Sequence, residues 1–584
     1  MTQKNLLISG ALMLCLTNSY ANETLNPIVV GATIKPIDIH SSPASLEIFT
    51  SNNIRQEGFS DISDLLNSIS SVSISSNGGV GQTTSVFTRG TESNHTKFLL
   101  NGVELNPGTL GLAPIQNIAI NTIDRVEIIK GSSSSLYGAN AIGGVINIIT
   151  KNDTNSVSLS SGSWSTNEGT LLKSFTIEDI DIQLSINRKE SKSIPAKVTS
   201  NKRHSHNSEN LMLNIKKNIG NYKLMSNIFS SRGNTQYDSF GSNLNQDHDD
   251  YIYMLGITNY INSDILDIKY TKSQNKITQS APSATDFTKT LRDKYEISYM
   301  NNKSVNVSKF GFTYTKEHMS ELSYGTRYIA DPIIKELFVQ NDYSNASSFI
   351  NFGARFINHS QFGDFTSGNF GISLLDNEDV YSFNINKSLR APDATDLYGY
   401  GGNPNLQPEE AVSYELGVKR LINNHALVFA SYFQTNLKNL IEFDSSSVQY
   451  VAKSKITGIE TGYKINKYPF KYNLSYTYMV PRDISNNQYL SKRSKHKINT
   501  GFIYEIDNNE SLSLKLIGES GRKASPFSTI ELGSYFIFNA GYNIKVNNNI
   551  LNISIKNLLD KSYRNSHNYN AADRSVFLTY NYLY

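Results

Sequence analysis

Apolar and polar residues follow two different patterns along this chain of 584 residues. Between residues 77 and 150, glycine-rich turns separate short β-type runs at residues 86–88, 97–100, 125–129 and 145–150. Glycine lets a chain reverse direction tightly, so this stretch predicts a compact, loop-rich globule. Just before it, apolar residues recur at helical spacing between residues 51 and 70 and predict a short amphipathic helix on one side of the globule.

From about residue 151 the apolar pattern changes to a period of two, which is typical of β-strands. Tyr295, Ile297 and Tyr299, for example, alternate with polar residues. Short turns that contain asparagine predict hairpins, one joining residues 498–504 to 512–516 and another joining 542–546 to 551–555. A water-soluble β-sandwich alternates in the same way, so periodicity alone leaves soluble and membrane folds open.

Composition narrows the choice between a soluble fold and a membrane fold. Charged residues make up 18% of the chain, whereas a soluble protein usually carries about a quarter. The chain has 34 tyrosines, which suits strands with one apolar and one polar face. No run of about 18 apolar residues is present, so no spanning helix is predicted. The net charge of +3 is too weak to indicate a nucleic-acid partner.

The N-terminus predicts a secretory signal over residues 1–21. Lys4 precedes an apolar run at residues 6–16, and small residues at Ser19 and Ala21 suit a cleavage site. A buried N-terminal strand or helix is the alternative. The single cysteine, Cys15, lies in this run, so the mature chain would lack disulfides, thiol catalysis and cysteine-ligated metals.

A β-branched run follows at residues 28–30. From the residues alone it is more simply the first strand of the globule than a strand that pairs with the sheet edge of another protein.

We therefore predict an all-β fold, a transmembrane antiparallel β-barrel of about 22 strands that encloses an N-terminal α/β plug domain. The length after residue 151 provides about 20 residues for each strand with its share of loops. The last strand carries Val576, Leu578, Tyr580, Tyr582 and the terminal Tyr584 on one face, an aromatic ending that resembles bacterial outer-membrane barrels. The predicted organisation is a signal peptide at residues 1–21, a periplasmic tail at 22–33, the plug at 34–151 and the barrel at 152–584.

Several motifs carry a resemblance to a known family. Those of the plug are Phe87-Thr88-Arg89-Gly90, Leu100-Asn101-Gly102-Val103, residues 125–131 (RVEIIKG) and residues 136–148 (LYGANAIGGVINI). Those of the barrel are Arg390-Ala391-Pro392, residues 403–409 (NPNLQPE), Gly458-Ile459-Glu460 and Asn557-Leu558-Leu559-Asp560. Over essentially its whole mature length the chain resembles TonB-dependent outer-membrane receptors. Residues 77–91 and 397–406 are most similar to the vitamin B12 (cobalamin) receptors of that family.

The resemblance implies active import of a large scarce nutrient across the outer membrane, most simply cobalamin, by a monomer in contact with outer-membrane lipid. Haem or a ferric siderophore is the alternative cargo. TonB, with its inner-membrane energising complex, would pull on a TonB box formed by Asn26, Pro27, Ile28, Val29, Val30, Gly31 and Ala32. An outer-membrane enzyme is not favoured, because the sequence has no GxSxG or HExxH motif. A passive porin or adhesin would need neither plug nor TonB box.

The resemblance also implies three groups of site residues. Two apical plug loops would contact the ligand through Gln82, Thr83, Thr84, Ser85, Asn106, Gly108, Thr109 and Leu110. Ion pairs between plug and barrel would join Arg89 and Lys130 to Glu415 and Glu460, although either glutamate could instead face water in the barrel. No covalent cofactor is implied, and calcium would bind Asp238 and Asp247.

Two further observations bear on these sites. The companion loop at residues 201–210 is poor in acids, so Asp238 and Asp247 could equally be solvated surface acids. His204 and His206 in that loop could bind a metal or haem, or be ordinary surface residues. Some haem receptors share the motifs that stand here at residues 390–392 (RAP) and 403–406 (NPNL). Those receptors typically place a histidine between the two motifs, and residues 390–403 contain none.

Overall fold

The computed structural model describes residues 28–29, 34, 37–132, 134–239, 241–280, 285–443, 448–526 and 528–584. Within these ranges an N-terminal α/β unit lies inside a closed barrel of antiparallel strands. No helix in the described part of the chain is long and apolar enough to cross a membrane.

The described part of the plug contains nine strands and three short α-helices. The strands are β1 (Ile28–Val29), β2 (Ile37–Asp38), β3 (Leu46–Thr50), β4 (Val72–Ser76), β5 (Thr84–Thr88), β6 (Thr96–Leu100), β7 (Val103–Glu104), β8 (Ile123–Lys130) and β9 (Gly144–Thr150). The α-helices are α1 (Ser51–Gln56), α2 (Ile62–Asn67) and α3 (Ser134–Tyr137), and 3-10 turns lie at Ser93–His95, Ile115–Asn117 and Ile120–Thr122. A mixed sheet in the order β3-β8-β9-β6-β7 forms the centre, and all four predicted strands are confirmed within it or in the β4–β5 hairpin.

The single amphipathic helix predicted over residues 51–70 is wrong, because two helices stand there. Thr50 caps α1 and Asp61 caps α2 by accepting hydrogen bonds from backbone N–H groups. Between them Gly58 adopts a φ of +64°, a conformation that ends a helix and favours glycine. The apolar residues that predicted the helix are buried as expected, including Ile62, Leu65 and Leu66.

The barrel wall is built from residues after 155. Its strands are β10 (Ser156–Gly162), β11 (Thr166–Ile177), β12 (Ile180–Ser191), β13 (His206–Ile219), β14 (Tyr222–Ser239), β15 (Ser242–Ile261), β16 (Asp264–Ser280), β17 (Thr285–Asn302), β18 (Asn306–Ser323), β19 (Thr326–Ala330), β20 (Ile333–Ser344), β21 (Ser348–His359), β22 (Gly363–Asp376), β23 (Asp379–Arg390), β24 (Glu409–Ile422), β25 (Ala426–Phe443), β26 (Val448–Lys467), β27 (Phe470–Asp483), β28 (Gln488–Tyr489), β29 (His496–Glu505), β30 (Glu510–Glu519), β31 (Arg522–Lys523), β32 (Glu531–Leu532), β33 (Tyr535–Val546), β34 (Asn549–Lys556) and β35 (Ser575–Leu583). A fourth helix, α4 (Ala394–Tyr398), lies between β23 and β24, and a 3-10 turn lies at Ser163–Ser165.

The barrel closes where β10 pairs antiparallel with β35. β19 and β28 are short extensions and β31–β32 is a separate ribbon, which leaves 22 strands in the wall, as predicted. One rim carries short turns, such as residues 178–179 and 547–548, whereas the other carries long connections such as 391–408 and 557–574. Long loops on one rim and short turns on the other are typical of outer-membrane barrels.

The wall is apolar outside and polar inside. On β17, Ile297 is 45% exposed whereas the next residue, Ser298, is 2% exposed. The side chains predicted to share one face of β35 are exposed as well, from Val576 to Tyr582. Buried polar and exposed apolar side chains are the reverse of a water-soluble domain, so the outer surface faces lipid. The soluble alternative that periodicity left open is therefore excluded.

Candidate functional site

The structure brings together Arg89, Lys130, Glu415 and Glu460 at the plug–barrel boundary. Arg89 directly follows β5 and Lys130 ends β8, while Glu415 lies on β24 and Glu460 on β26. Arg89 Nη2 donates to Glu415 Oε1 at 2.9 Å and to Glu460 Oε2 at 2.5 Å. Lys130 Nζ lies 3.0 Å from the other oxygen of Glu460. Neither glutamate is simply solvated by water in the barrel, since the side chains of both are less than a tenth exposed.

Two features of this cluster were not predicted from the sequence. Glu47 on β3 accepts from Lys130 Nζ at 2.7 Å, and Arg89 lies over the ring of Phe433 with 4.6 Å between its guanidinium carbon and the ring centroid. Burial alone would lower the pKa of Arg89, but Glu415 and Glu460 raise it overall. The guanidinium is therefore a permanent cation that needs both carboxylates.

Further ion pairs hold the same side of the plug. Arg493, just before β29, pairs with Glu92 of the plug and donates to the Gly90 carbonyl at 3.0 Å. Lys515 on β30 pairs with Glu57, and Lys556 on β34 reaches Asp64 at 2.6 Å. These contacts join the plug to the strands from β24 to β34. No sequence motif predicts these ion pairs, because isolated charged residues on alternating strands are common in any barrel interior.

The first predicted ligand loop packs against the barrel wall. Gln82 donates through Nε2 to the Gln236 carbonyl at 2.7 Å, and Thr84 is buried, whereas Thr83 and Ser85 are partly exposed. Gly81 lies against the His206 ring, since a Cβ built there would stand 2.2 Å from Nδ1. Of the four predicted residues in this loop, Gln82 is therefore the one bonded to the wall in the described structure.

The second predicted ligand loop is bound by α4 and its flanks. The N–H groups of Ala394 and Thr395 donate to the carbonyls of Gly108 and Thr109 at 3.0 and 3.1 Å. Thr109 also shares a hydroxyl hydrogen bond of 3.1 Å with Thr290 on β17. Leu110 is half-buried.

Two side chains stabilise this loop from within the plug and from the barrel. Asn106 is buried and satisfies the backbone on both sides of the loop, donating to the carbonyls of Thr96 and Gly111 at 3.1 and 2.8 Å. His95 contacts Glu409 at 3.0 Å, both fully buried, and Arg390 pairs with the same glutamate. The connection between β23 and β24 is therefore fixed to the plug apex.

A cleft opens between the plug apex and the strands from β17 to β23. Two of the eight predicted ligand residues, Asn106 and Gly108, line it. Its charged lining comprises three cations and four carboxylates: Lys97, Arg292, Lys294, Glu104, Glu317, Glu336 and Asp393. Aromatic side chains, including Tyr137, Phe362 and Tyr398, complete the wall.

The charges of the cleft compensate one another. Lys97 Nζ lies 3.1 Å from Glu104, Arg292 pairs with Glu317, and Lys294 lies 3.4 Å from Glu296. Burial raises the pKa of Glu104, but Lys97 and Arg292 outweigh it and lower the pKa to about 2. A ligand entering this cleft therefore meets little net charge.

The predicted calcium residues do not converge on a cation site. Asp238 lies 2.9 Å from Lys197 Nζ, and Asp247 accepts from Asn234 Nδ2 at 2.6 Å. No group of three or more histidine, cysteine or acidic side chains suitable for a metal occurs among the described residues. Calcium takes six to eight oxygen ligands, so these two side chains do not fit it. Calcium binding stays a prediction.

His204 and His206 are buried, not surface residues. His204 Nδ1 accepts the N–H of Ala196 at 3.0 Å, which places the ring proton on Nε2 and leaves no lone pair there for a metal. His206 Nδ1 contacts the Thr235 hydroxyl at 2.8 Å. Each ring therefore uses its Nδ1 in a hydrogen bond.

The tail can be described only in part. Of the seven residues predicted as the TonB box, Ile28 and Val29 form β1, which pairs antiparallel with β2. Asn26, Pro27, Val30, Gly31 and Ala32 lie outside the described residues.

Comparisons with known proteins agree with this architecture. Residues 38–145 match the TonB-dependent receptor plug domain, and residues 147–558 match the family described as TonB dependent receptor-like, beta-barrel. A relative from Vibrio cholerae serotype O1, named vitamin B12 transporter BtuB, is 26% identical over 96% of each chain.

Solved structures share the fold at lower identity. The siderophore receptor PirA of Acinetobacter baumannii is 18% identical with a TM-score of 0.79, covering 94% of this chain and 99% of its own. A mutant of the ferric enterobactin receptor PfeA of Pseudomonas aeruginosa is 15% identical with a TM-score of 0.82, at the same coverage. Together, the lipid-facing barrel, the enclosed plug and the two family matches show that this chain belongs to the TonB-dependent receptors, which are non-enzymatic transport proteins of the outer membrane.

Proposed function

We propose that this receptor imports cobalamin (vitamin B12) across the outer membrane. The observation that carries the proposal is similarity along the whole length, 26% identity over 96% of each chain, to a protein named as a vitamin B12 transporter. The likeness to siderophore receptors is lower, at 15–18% identity, and supports the fold only.

The chemistry of the cleft supports this cargo. Four carboxylates and three cations line it, and each cation has a carboxylate neighbour. A strongly anionic ferric catecholate needs positive potential at its site, because its charge must be compensated when it leaves water. A large, amide-decorated corrinoid needs hydrogen bonds and apolar contact instead.

Haem is less well supported. His359 is the histidine that lines the cleft among the described residues, and it is 9% exposed and packs with its ring 5.0 Å from that of Phe362. The ring nitrogens of His204 are engaged or protonated, as described above.

For energy coupling we propose that residues 26–32 are the TonB box, within a periplasmic tail at residues 22–33 that follows a signal peptide at 1–21. The plug would span 34–151 and the barrel 152–584. The β1–β2 pairing supports this role, since a two-residue ribbon is readily exchanged for pairing with another chain.

Equilibrium binding tests the cargo. Purified receptor is titrated with cyanocobalamin, haemin and a ferric siderophore in parallel, and uptake of the bound ligand is measured in cells with and without TonB. We expect saturable binding of cyanocobalamin and uptake that requires TonB. Binding of haemin or the siderophore alone would refute the cobalamin assignment and leave the family unchanged.

A further inference from the structure

Four cations lie together on the outer face of the barrel wall, towards the rim that carries the long connections. They stand on three consecutive strands, β25, β26 and β27, and are Lys438, Lys453, Lys455 and Arg482. The residues next to them in the sequence are less than a tenth exposed and include Leu437, Ser454, Ile456 and Asp483. Successive side chains of a strand point to opposite faces, so the four cations point away from the plug. These four residues form the outer cation patch.

The outer cation patch contains two pairs of like charges that lie directly opposite each other. Lys438 is the register partner of Lys453, and Lys455 is the register partner of Arg482. Like charges directly opposite on one face of a sheet destabilise it. Among the described residues, no ion pair joins any of the four to an acidic side chain. The wall therefore holds four cations together without a carboxylate bound to any of them.

Neutral groups hold Arg482 in place without removing its charge. Its Nη1 donates to Asn487 Oδ1 at 2.7 Å, and its guanidinium carbon lies 4.9 Å from the ring centroid of Tyr489. Lys495 Nζ lies 3.7 Å from the same centroid. An aromatic ring attracts cations through its quadrupole but carries no net charge. A fifth cation is therefore held beside the outer cation patch.

The outer cation patch borders the apolar band that faces lipid. Tyr432, Ile459 and Tyr478 are exposed on the same three strands, and Ile459 is the register partner of both tyrosines. Ile459 and Lys455 point to the same face of β26, with Lys455 nearer the rim of long connections. Tyrosines flank the apolar band of such barrels, and lysine side chains extend to the membrane–water boundary. The patch therefore lies at the level of the lipid headgroups.

Outward cations on the other side of the wall are compensated by the protein itself. Arg232 on β14 binds Asp249 at 2.9 Å, and Lys272 on β16 lies 3.8 Å from Asp293. Both cations are exposed, with side-chain exposures of 73% and 44%. The same position relative to lipid thus occurs with a carboxylate partner there and without one at the outer cation patch.

We infer that the outer cation patch binds the phosphate of an anionic lipid in the outer leaflet. Arginine and lysine bind phosphate through charge-assisted hydrogen bonds, and cations near a membrane surface attract anionic headgroups. The phosphate supplies the counter-charge for the two like-charge pairs, while the acyl chains lie against Tyr432, Ile459 and Tyr478. The inference is independent of the cargo, because the patch is outside the wall and the cleft is inside it.

Lipid binding to the purified receptor in dodecyl maltoside tests the inference. The receptor is titrated with didecanoyl phosphatidic acid, with phosphatidylcholine of the same chains and with inorganic phosphate, and native mass spectrometry counts the bound molecules. Wild type should bind phosphatidic acid about tenfold more tightly than phosphatidylcholine. Inorganic phosphate at equal concentration should not displace the lipid, since it makes no apolar contacts. The double variant Lys453→Gln/Lys455→Gln should lose most of the preference.

The double variant Arg232→Gln/Lys272→Gln is the matched control. It removes the same charge from the outer wall at residues that already have carboxylate partners, and it should keep the preference for phosphatidic acid. Melting temperatures add a second readout. Without lipid, Lys453→Gln/Lys455→Gln should be at least as stable as wild type, because repulsion is relieved. With phosphatidic acid present, wild type should become the more stable of the two.

Several results would overturn the inference. They are equal affinity of wild type for the two lipids, absence of phosphatidic acid binding, equal loss of preference in both double variants, and full displacement of the lipid by inorganic phosphate. Soluble polyglutamate that displaces phosphatidic acid from wild type would assign the patch to a soluble acidic partner and would also overturn it. Failure to bind cobalamin would leave it unaffected.

Discussion

Arg89 donates to one carboxylate oxygen of Glu460 through two nitrogens, Nε at 3.1 Å and Nη2 at 2.5 Å. The second oxygen of Glu460 accepts from Lys130, so one barrel residue bridges cations from two separate plug segments. The two ion pairs expected from the sequence are therefore a single network. It is the only place among the described residues where the plug strands β5 and β8 and the barrel strands β24 and β26 meet through charge.

Glu460→Gln should destabilise the plug within the barrel by about 3 kcal/mol, because two buried cations lose their shared counter-charge. Calorimetric unfolding of the purified receptor measures the effect. Glu378→Gln, in an exposed short turn, is the control and should leave the transition unchanged. An equal transition in both variants would contradict a structural role for the network.

Glu104 should contribute pH-dependent stability. Its pKa in the folded protein is about 2, below the ordinary value of 4.5, so its contribution is complete above pH 4.5 and is lost as the pH falls towards 2. The shift corresponds to about 3 kcal/mol. Wild type should exceed Glu104→Gln in stability by that order at pH 7, with the difference shrinking below pH 4.5 in urea unfolding. A difference that does not change with pH would count against the Lys97–Glu104 pair.

Gly111→Ala should detach the β23–β24 connection from the plug apex. Gly111 has a φ of +67°, and a Cβ there would stand 2.5 Å from Asp393 Oδ2. Gly102, at +83°, has nothing within 4 Å, so Gly102→Ala isolates the backbone cost of about 1 kcal/mol. Ligand affinity should fall about tenfold or more in the Gly111 variant only. Similar losses in both variants would show that backbone strain alone is responsible.

Val29→Pro should abolish energised uptake and leave ligand binding intact. Proline removes a backbone N–H and so blocks strand pairing at this position. Val29→Ala keeps the N–H and should retain uptake, which separates backbone pairing from side-chain recognition. Uptake of labelled ligand and surface binding are measured in the same cells. Normal uptake by the proline variant would exclude pairing through this residue.

The barrel strands could be predicted from the sequence, because an alternation of apolar and polar residues is visible within each short segment of the chain. Tyr295 and Ile297, which the alternation places on one face of a strand, are both exposed on the outer surface of the wall. The break at Gly58 was missed because the apolar spacing continues across it. A Cβ added at Gly58 would stand 2.9 Å from Ser554 Cβ, so the approach of the barrel wall favours glycine there as well as the positive φ.

The site was less predictable, because its residues meet through the closure of the barrel. Arg89 and Glu460 are 371 positions apart, and only motif resemblance linked them. The roles of Glu47 and Glu104 depend on the cations they meet only after folding, Lys130 and Lys97. Thr109 was expected at the ligand, yet its hydroxyl binds Thr290, a contact no local pattern encodes.

The pairing of β10 with β35 also constrains how the molecule is assembled. Ser156 of β10 lies opposite Leu583 of β35. The backbone N–H and C=O groups on one edge of β10 therefore stay unpaired until β35 lies beside it. The plug precedes both in the chain and makes contacts all around the inner wall. Closure of the wall therefore depends on the meeting of two strands from opposite ends of the barrel sequence, and the same pairing encloses the plug.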